Sequence, residues 1–402
     1  MSDAARLVET AARRILVVGA GIGGLTAALA LARRGFHVDI AERAAELDEV
    51  GAGIQLSANA GRVLADLGLS TAITEVATEP TAIEVRNGLS GALLSSISGS
   101  TLKARYDFPY WVIHRADLQT VLRQAVERSA AIKLHLGVEV TGSNVSADRA
   151  GVRLRVPHLA DATFEAIIAA DGVRSSLRSL VPGAAAPRAA NRAAWRALVP
   201  ISAAGGLLAA NTVSVWLGPR AHIVCYPVAR GTAANIVAIV EERSDEPGWG
   251  LPGAFPDLAA HLQSWSPRVM QLLSLANSWK KYALMHVDPT GPWSADRLAL
   301  LGDAAHAMMP FLAQGAAMAI EDAAVLANSL SVSSDVPAAL KLYEAERKGR
   351  MVRVAAAAAR TGQRYHFTGG MAAARDLALR VAGERLILNE VDWIYRWRAR
   401  GE

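Results

Sequence analysis

Only one cysteine, Cys225, occurs in the 402 residues. No internal disulfide can form, and no Cys or His cluster has the spacing of a metal site, so a stapled secreted fold and a zinc module are both excluded. A reducing, cytoplasmic compartment fits, and Cys225 itself, inside a strand-like run, reads as a small buried hydrophobe. Aromatics are scarce at 5%, charged residues stand at 20% and apolar ones at 52%, a globular rather than a disordered composition. Neither sign of charge dominates. The net charge is +5, with no run of five or more basic residues, which argues against a nucleic-acid partner and suits anionic small molecules. The nearest approach to a membrane span or signal peptide is Ile15 to Ala32 behind Arg13-Arg14. Gly19, Gly21, Gly23 and Gly24 interrupt it where such a helix would lose packing, so no membrane partner is expected.

Those glycines suit another purpose. Ile15 to Val18 is a short apolar run typical of a strand buried on both faces. GAGIGG follows, then an Ala/Leu helix over Leu25 to Arg34 closed by Gly35, then a strand from Phe36 to Ala41 ending at Glu42-Arg43. Gly19, Gly21 and Gly24, with Ala20 between the first two, fit GxGxxG: a tight turn, a close backbone approach to a pyrophosphate, and close helix–strand packing. The helix start offers free N–H groups and a positive dipole end. Glu42 stands where an acidic partner for a ribose hydroxyl belongs. The turn alone does not distinguish NAD from FAD.

Other segments narrow the choice. VGAGIQL, Val50 to Leu56 and including Gly53, is a Gly-rich turn that suits a flat ring, or an ordinary loop. Ile167 to Ala170 is a buried strand feeding Asp171-Gly172. Leu298 to Leu301 delivers Gly302-Asp303 to a loop, where Asp303 suits polyol hydroxyls. Gln314-Gly315-Ala316-Ala317 then opens a long helix whose N-terminus suits the negative charge of a reduced flavin.

Between these segments the texture changes. Ala194–Val199, Thr212–Leu217, His222–Val228 and Ala234–Glu241 read as successive strands of an antiparallel meander. Residues 81–101 read as two short strands or a loop. Helices are expected over Ala58 to Leu67, Arg115 to Ala130, residues 255–276, Gly315 to Leu330, Pro337 to Arg360 and Ala372 to Leu388, and strand character over His135 to Val140 and Val152 to Val156. The expected fold is α/β: a Rossmann-like FAD-binding domain (1–80, 103–184 and 282–335), an inserted, mainly antiparallel β-sheet substrate domain (81–102 and 185–281), and a C-terminal helical segment (336–402). Strand alternation puts His222, Val224 and Tyr226 on one face and Cys225 on the other.

From about residue 13 to 350 these segments, in this order, resemble the single-component FAD-dependent aromatic hydroxylases, closest in texture to the salicylate, 3-hydroxybenzoate and 6-hydroxynicotinate enzymes. The resemblance implies an NAD(P)H-dependent FAD monooxygenase that hydroxylates a small aromatic acid through a flavin hydroperoxide, with dioxygen as co-substrate; a homodimer is common among similar proteins. It implies that the Gly19–Gly24 turn, Glu42 and Arg43 hold the ADP half of FAD. Asp303 would hold the ribityl and pyrophosphate region, with Gly315 and Ala316 at the helix end near the flavin. Arg115, in IHRADL, would lie beside the flavin chain, Gly53 is a cofactor-binding candidate in the turn that suits a flat ring, and Asp171 would serve both FAD and the transient pyridine nucleotide. No second GxGxxG is present, as the resemblance requires. His222, in His-x3-Tyr-Pro, would be the base that ionises a phenol, with Tyr226 its partner, or else a structural strand histidine. His306 suits a structural or flavin-contact role. Phe311 stands where related enzymes often carry His after the loop proline. Trp195, Arg196, Met309 and Phe311 are candidate pocket residues; Arg196 would pair a substrate carboxylate or make a surface salt bridge. No metal is expected. The other readings are a flavin-dependent epoxidase or reductase acting on a polyketide or isoprenoid, and a non-catalytic flavin redox module.

Overall fold

Arg14–Val18 runs through the middle of a six-stranded sheet, and its apolar side chains are buried because sheet or helix covers both faces. A computed structural model describes residues 13–47, 53–148, 151–156, 159–160, 162–209, 211–242 and 248–399; Val50 to Ala52 of the second Gly-rich turn lie outside them. The strand order is Ser294–Ala295, Leu298–Leu300, Ala166–Ala169, Arg14–Val18, His37–Glu42 and Ile132–Leu136, parallel throughout except for the first pair. The helix Ile22–Arg33 packs between Arg115–Glu127 and Gly315–Ser331. The helix begins three residues before the expected start, with Gly21 as its N-cap. The strand expected over 135–140 lies at Ile132–Leu136, stopped by Gly137 at φ 69°.

The eight-stranded sheet runs Trp249–Gly253, Trp279–His286, Arg188–Pro200, Ala233–Glu241, Ala221–Val228, Thr212–Gly218, Ala82–Asn87 and Leu93–Ser98. Residues 81–101 therefore supply two strands; Ala82–Asn87 pairs in parallel with Thr212–Gly218, and every other junction is antiparallel. One face carries Trp195, Trp216, Ile223, Cys225, Ile236 and Ala238, packed with Leu258 and Leu272 of two short helices. Those helices, Phe255–Ala260 and Pro267–Ser274, replace the single one expected over 255–276. Ser266 caps the second, its hydroxyl accepting from the Val269 N–H at 3.4 Å, and Pro267 fills the first helical position where no donor is needed. Burial pushes the Cys225 thiol up, as befits an inert core residue. The other face, with Tyr226 and Val228, joins the core of the six-stranded sheet. The two C-terminal helices, Val336–Tyr365 and Gly369–Tyr395, are longer than expected, and the second kinks at Ala382. No helix among the described residues is long and apolar enough to cross a membrane.

A buried ionic cluster joins three of these elements. Arg347, fully buried on Val336–Tyr365, donates to Glu321 at 2.6 Å and to Asp322 at 2.7 Å on Gly315–Ser331. Arg350 makes a second, forked pair with Glu321, both distances 2.7 Å. The other Asp322 oxygen accepts from the Gly302 amide at 3.1 Å and lies 2.6 Å from His306 Nε2. Burial pushes the Asp322 carboxyl up, but the His306 and Arg347 charges and their hydrogen bonds outweigh it and hold it down at about 2.

Removing Arg347 leaves Asp322 held only by Gly302 and His306 and Glu321 only by Arg350 and Asn59, so two wholly buried carboxylates each lose a charged partner that water cannot replace. Urea unfolding of Arg347→Ala is predicted to show a loss of about 3–5 kcal/mol; a loss below about 1 kcal/mol would show the cluster to be incidental. Asp322 adds a pH signature. Its folded pKa lies below the unfolded one, so its contribution is complete above about pH 4 and disappears as the pH falls toward 2. The unfolding midpoint of Asp322→Asn should therefore fall less steeply than that of the parent between pH 4 and 2, and equal slopes would contradict this account.

Candidate active site

Three adjacent parallel strands deliver the sequence-flagged loops to one edge of the six-stranded sheet, the carboxyl edge where open α/β sheets bind ligands. In the first loop Gly19 has φ 104°, and a Cβ there would lie 2.5 Å from the Ala170 carbonyl oxygen. A Cβ on Gly24 would lie 1.9 Å from the Gly19 oxygen, whereas one on Gly21 would meet nothing within 4 Å. The first and third glycines thus pack the turn against the sheet, and the second leaves room over it. Glu42 braces the turn: its carboxylate accepts from the Ala20 N–H at 2.8 Å and from the Ala44 N–H at 2.9 Å. Arg43 beside it is exposed. Gln119 donates to the Ala20 carbonyl at 3.1 Å, docking the helix that starts at Arg115. The strand before that helix pairs His114 with Gly53.

The second and third loops are tied together. Asp171 accepts from the Ser176 N–H at 2.9 Å through one oxygen, while its other oxygen is buried with no protein partner. Arg178, seven residues on, donates to Ala304 O at 2.9 Å and to Val173 O at 2.8 Å; burial pushes its pKa down. Gly302 has φ 61°, and a Cβ there would come 2.9 Å from the Ala319 Cβ. Asp303 projects, exposed, from the start of the short turn Asp303–His306. Gly315 and Ala316, both partly exposed, open the helix Gly315–Ser331. Gln314 before them donates to Ser57 Oγ at 2.9 Å and accepts from Asn59 Nδ2 at 3.0 Å.

Facing these loops is the inner side of the eight-stranded sheet. His222, 1% exposed, lies 5.4 Å between ring centroids from Phe311 of the third loop. Its Nδ1 is 2.9 Å from His366 Nε2. Burial, then the neighbouring His366 and Arg192, push the His222 pKa well below its ordinary value, so the ring is neutral and able to accept a proton. Tyr226 is buried against Gly53, where a Cβ would be 2.3 Å from its ring, and burial pushes its phenol well up. The Gly53 N–H donates to Asn235 Oδ1 at 2.9 Å, and Gln55 accepts from the Tyr110 hydroxyl at 2.6 Å. Arg196 stands 5.2 Å over the Tyr282 ring. Met309 and Phe311 pack with Ala194, Ile239 and Tyr282. Trp195 does not belong here. Alternation turns it to the opposite face, where Lys281 lies 5.2 Å over its ring. His306 is buried between Asp322 and Trp293, the latter 4.8 Å away, which is the structural role.

Asn235, Gln55, Gln119 and Arg178 also line or brace the site and were not singled out from sequence. Only Arg178 left a trace, as the last residue of DGVRSSLR. His366 lies in the C-terminal segment and carries no motif.

A family model described as an FAD binding domain matches residues 13–358. The chain belongs to this FAD-binding family. It is 34% identical over 386 residues to the 3-hydroxybenzoate 6-hydroxylase of Polaromonas naphthalenivorans, covering 95% of this chain and 96% of that one. It is 36% identical over 405 residues to a 3-amino-4-hydroxybenzoate 2-monooxygenase of Streptomyces platensis, covering 98% of each. HpxO of Klebsiella pneumoniae, solved with FAD and uric acid, superposes with a TM-score of 0.84 at 27% identity over 96% of this chain and 97% of that one. The protein is an FAD-dependent monooxygenase of the aromatic hydroxylase type. Its own residues fit the cofactor: an open cradle above Gly21, a carboxylate at the end of the second strand, and a buried Asp171 oxygen lacking a partner at the same edge.

Two glycine variants should separate packing from binding. Gly21→Ala places a methyl in open space at an ordinary φ of −72°. Its apoprotein should unfold within about 0.5 kcal/mol of the parent, while FAD affinity, read by flavin fluorescence, should weaken about tenfold or more. Gly24→Ala should instead lose about 3 kcal/mol of apoprotein stability. Unchanged FAD affinity in Gly21→Ala would remove the cradle from the cofactor site.

Proposed function

We propose that this protein is an NAD(P)H-dependent monooxygenase that hydroxylates a small aromatic acid, a phenolic or pyridinol carboxylate. Gly19, Ala20, Gly21, Gly24, Glu42 and Arg43 are assigned to the ADP half of FAD. Asp303 and Arg115 are assigned to its central chain, Gly53, Gly315 and Ala316 to the ring end, and Asp171 to the junction of FAD and the nicotinamide. The bound flavin supplies the redox chemistry, accepting electrons from the reduced nicotinamide and passing them to dioxygen. The protein supplies position and charge control. His222, buried on the inner face of the eight-stranded sheet 5.4 Å between ring centroids from Phe311 of the third loop, is the observation that carries the reading. A phenolate is a far better nucleophile than a phenol; burial leaves the imidazole free to take the proton, and the anion formed beside it offsets the cost of charging a buried ring. Tyr226, whose hydroxyl stays protonated, donates to the same oxygen. Arg196, one of two arginines on this face with Arg192, is assigned as the partner for the carboxylate. Phe311 and Met309 keep the reacting ring in an apolar wall.

The relatives named above act on hydroxybenzoates and an aminohydroxybenzoate, in keeping with this substrate class. Oxygen uptake and NADH or NADPH oxidation, screened against hydroxybenzoates and hydroxypyridine carboxylates with product identified by mass, test the reading. At least one acid should gain an oxygen atom, and His222→Ala should lower kcat about 100-fold or more. Arg196→Met should raise KM for that acid and leave the KM of its decarboxy analogue little changed. Failure of every acid, or indifference to His222→Ala, would overturn the assignment and favour a larger, apolar substrate.

A further inference from the structure

A proton taken from a substrate by a residue as enclosed as His222 needs a way out. His222 is 1% exposed. Its Nδ1 meets His366 Nε2 at 2.9 Å, and His366 Nδ1 meets Glu241 Oε1 at 3.4 Å. His366 is itself buried, whereas the Glu241 side chain is 38% exposed. The three groups form one line from the inner face of the eight-stranded sheet to water. His366 sits at the C-terminal end of the helix Val336–Tyr365. It is held by the Arg220 N–H donating to its carbonyl at 3.4 Å and by edge-on packing against Phe311 at 5.7 Å.

We propose that His366 is the positioning residue behind His222, and that His222, His366 and Glu241 form a relay carrying the substrate's phenolic proton to solvent. The proposal rests on the reading of His222 as base. It assigns the tautomers. His222 carries its proton on Nδ1, donated to His366 Nε2, which leaves Nε2 for the phenol. His366 carries its proton on Nδ1, directed at Glu241. When the phenol O–H breaks, Nε2 of His222 gains that proton and Nδ1 gives its own to His366 Nε2. His366 Nδ1 then passes its proton to the Glu241 carboxylate, which releases it to water. One proton enters, one leaves, and the phenolate keeps the electron pair. Return of a proton to the product oxygen runs the line backward and restores both tautomers.

The surroundings favour transit over storage. Arg192, Arg220, Arg375 and Glu241 are the charged groups around His366, with His222, Tyr365 and Phe311 completing its shell. Burial and the arginines hold the His366 pKa down at about 4 despite Glu241. Neither imidazole keeps a charge near neutral pH, so a proton arriving at either passes on.

The test uses the FAD-loaded enzyme and a nitrophenol carboxylate, whose ionisation on binding is visible and requires no turnover. Stopped-flow absorbance follows the phenolate, and a pH indicator follows the proton reaching bulk water. In the parent enzyme the two signals should rise together. In His366→Gln, which retains a hydrogen bond to His222, both should slow tenfold or more with FAD content and probe affinity unchanged. In His366→Ala, added imidazole should restore part of the rate. Glu241→Gln, at the solvent end of the line, should delay the indicator signal more than the absorbance signal. Parental ionisation kinetics in both His366→Gln and Glu241→Gln would overturn the relay. If hydroxylation still depended on His222 in that case, the base assignment would stand alone; a parent enzyme that never ionised the probe would overturn both.

Discussion

Glu321 and Asp322 are adjacent, wholly buried carboxylates on the helix Gly315–Ser331. Two anions in that position are tolerable only because Arg347 spans both and Arg350 forks onto the first. The geometry of the flavin end follows from this pairing. Asp322 holds the Gly302 amide and His306, fixing the loop that presents Asp303. Glu321 holds Asn59, and Asn59 holds Gln314, fixing the residue from which the helix Gly315–Ser331 starts. A hydrophobic core could fill the same volume, but it could not aim a loop and a helix terminus at one point. Hydrogen-bonded charges are directional, and departure from their geometry is costly in a low dielectric.

The second constraint is strand alternation. The eight-stranded sheet separates two environments with a period of two residues. Ile223 and Cys225 enter a closed apolar layer, while His222 and Tyr226 face the flavin loops. A one-residue slip in Ala221–Val228 would exchange them. The register is protected on both sides: Thr212–Gly218 pairs Leu217 with His222, and Ala233–Glu241 pairs Ile239 with His222. The face that carries His222 and Tyr226 is thus positioned by the packing of the opposite, apolar face.

Legibility from sequence followed the range of the interactions involved. The Gly19–Gly24 turn, Asp171-Gly172 and Gly302-Asp303 were readable because each is local: a glycine with a required φ or close approach, next to an apolar run of strand length. Alternation separated His222 and Tyr226 from Cys225, and the resemblance implied which of the two faces turns inward. Trp195 turns away from the site because alternation forbids it and its neighbour Arg196 from facing one cavity. The strand expected over 135–140 was displaced because Val138 and Val140 are buried without being paired in the six-stranded sheet. Asn235, Gln55 and Arg178 were not readable, since amides and a lone arginine acquire their partners only through the tertiary fold. The Glu321-Asp322 pair carries no motif, and nothing local connects it to Arg347, about 25 positions later.

The least informative part of the chain, the helices after residue 336, supplies the most consequential of these distant partners. Arg347 lies within the span 13–358 matched by the FAD-binding model; His366 lies beyond it. The two residues sit on the same helix or its cap, roughly five turns apart along a continuous rod. One end of that rod neutralises the carboxylates behind the Gly302-Asp303 loop, and the other places an imidazole 2.9 Å from His222. Because the helix is one rigid element, anchoring Arg347 in the buried ionic cluster also sets where His366 stops. The ionic cluster therefore bears on two placements at once, that of the Gly302-Asp303 loop and that of His366 against His222. Variation in the helix between Arg347 and His366 could alter the second without disturbing the first.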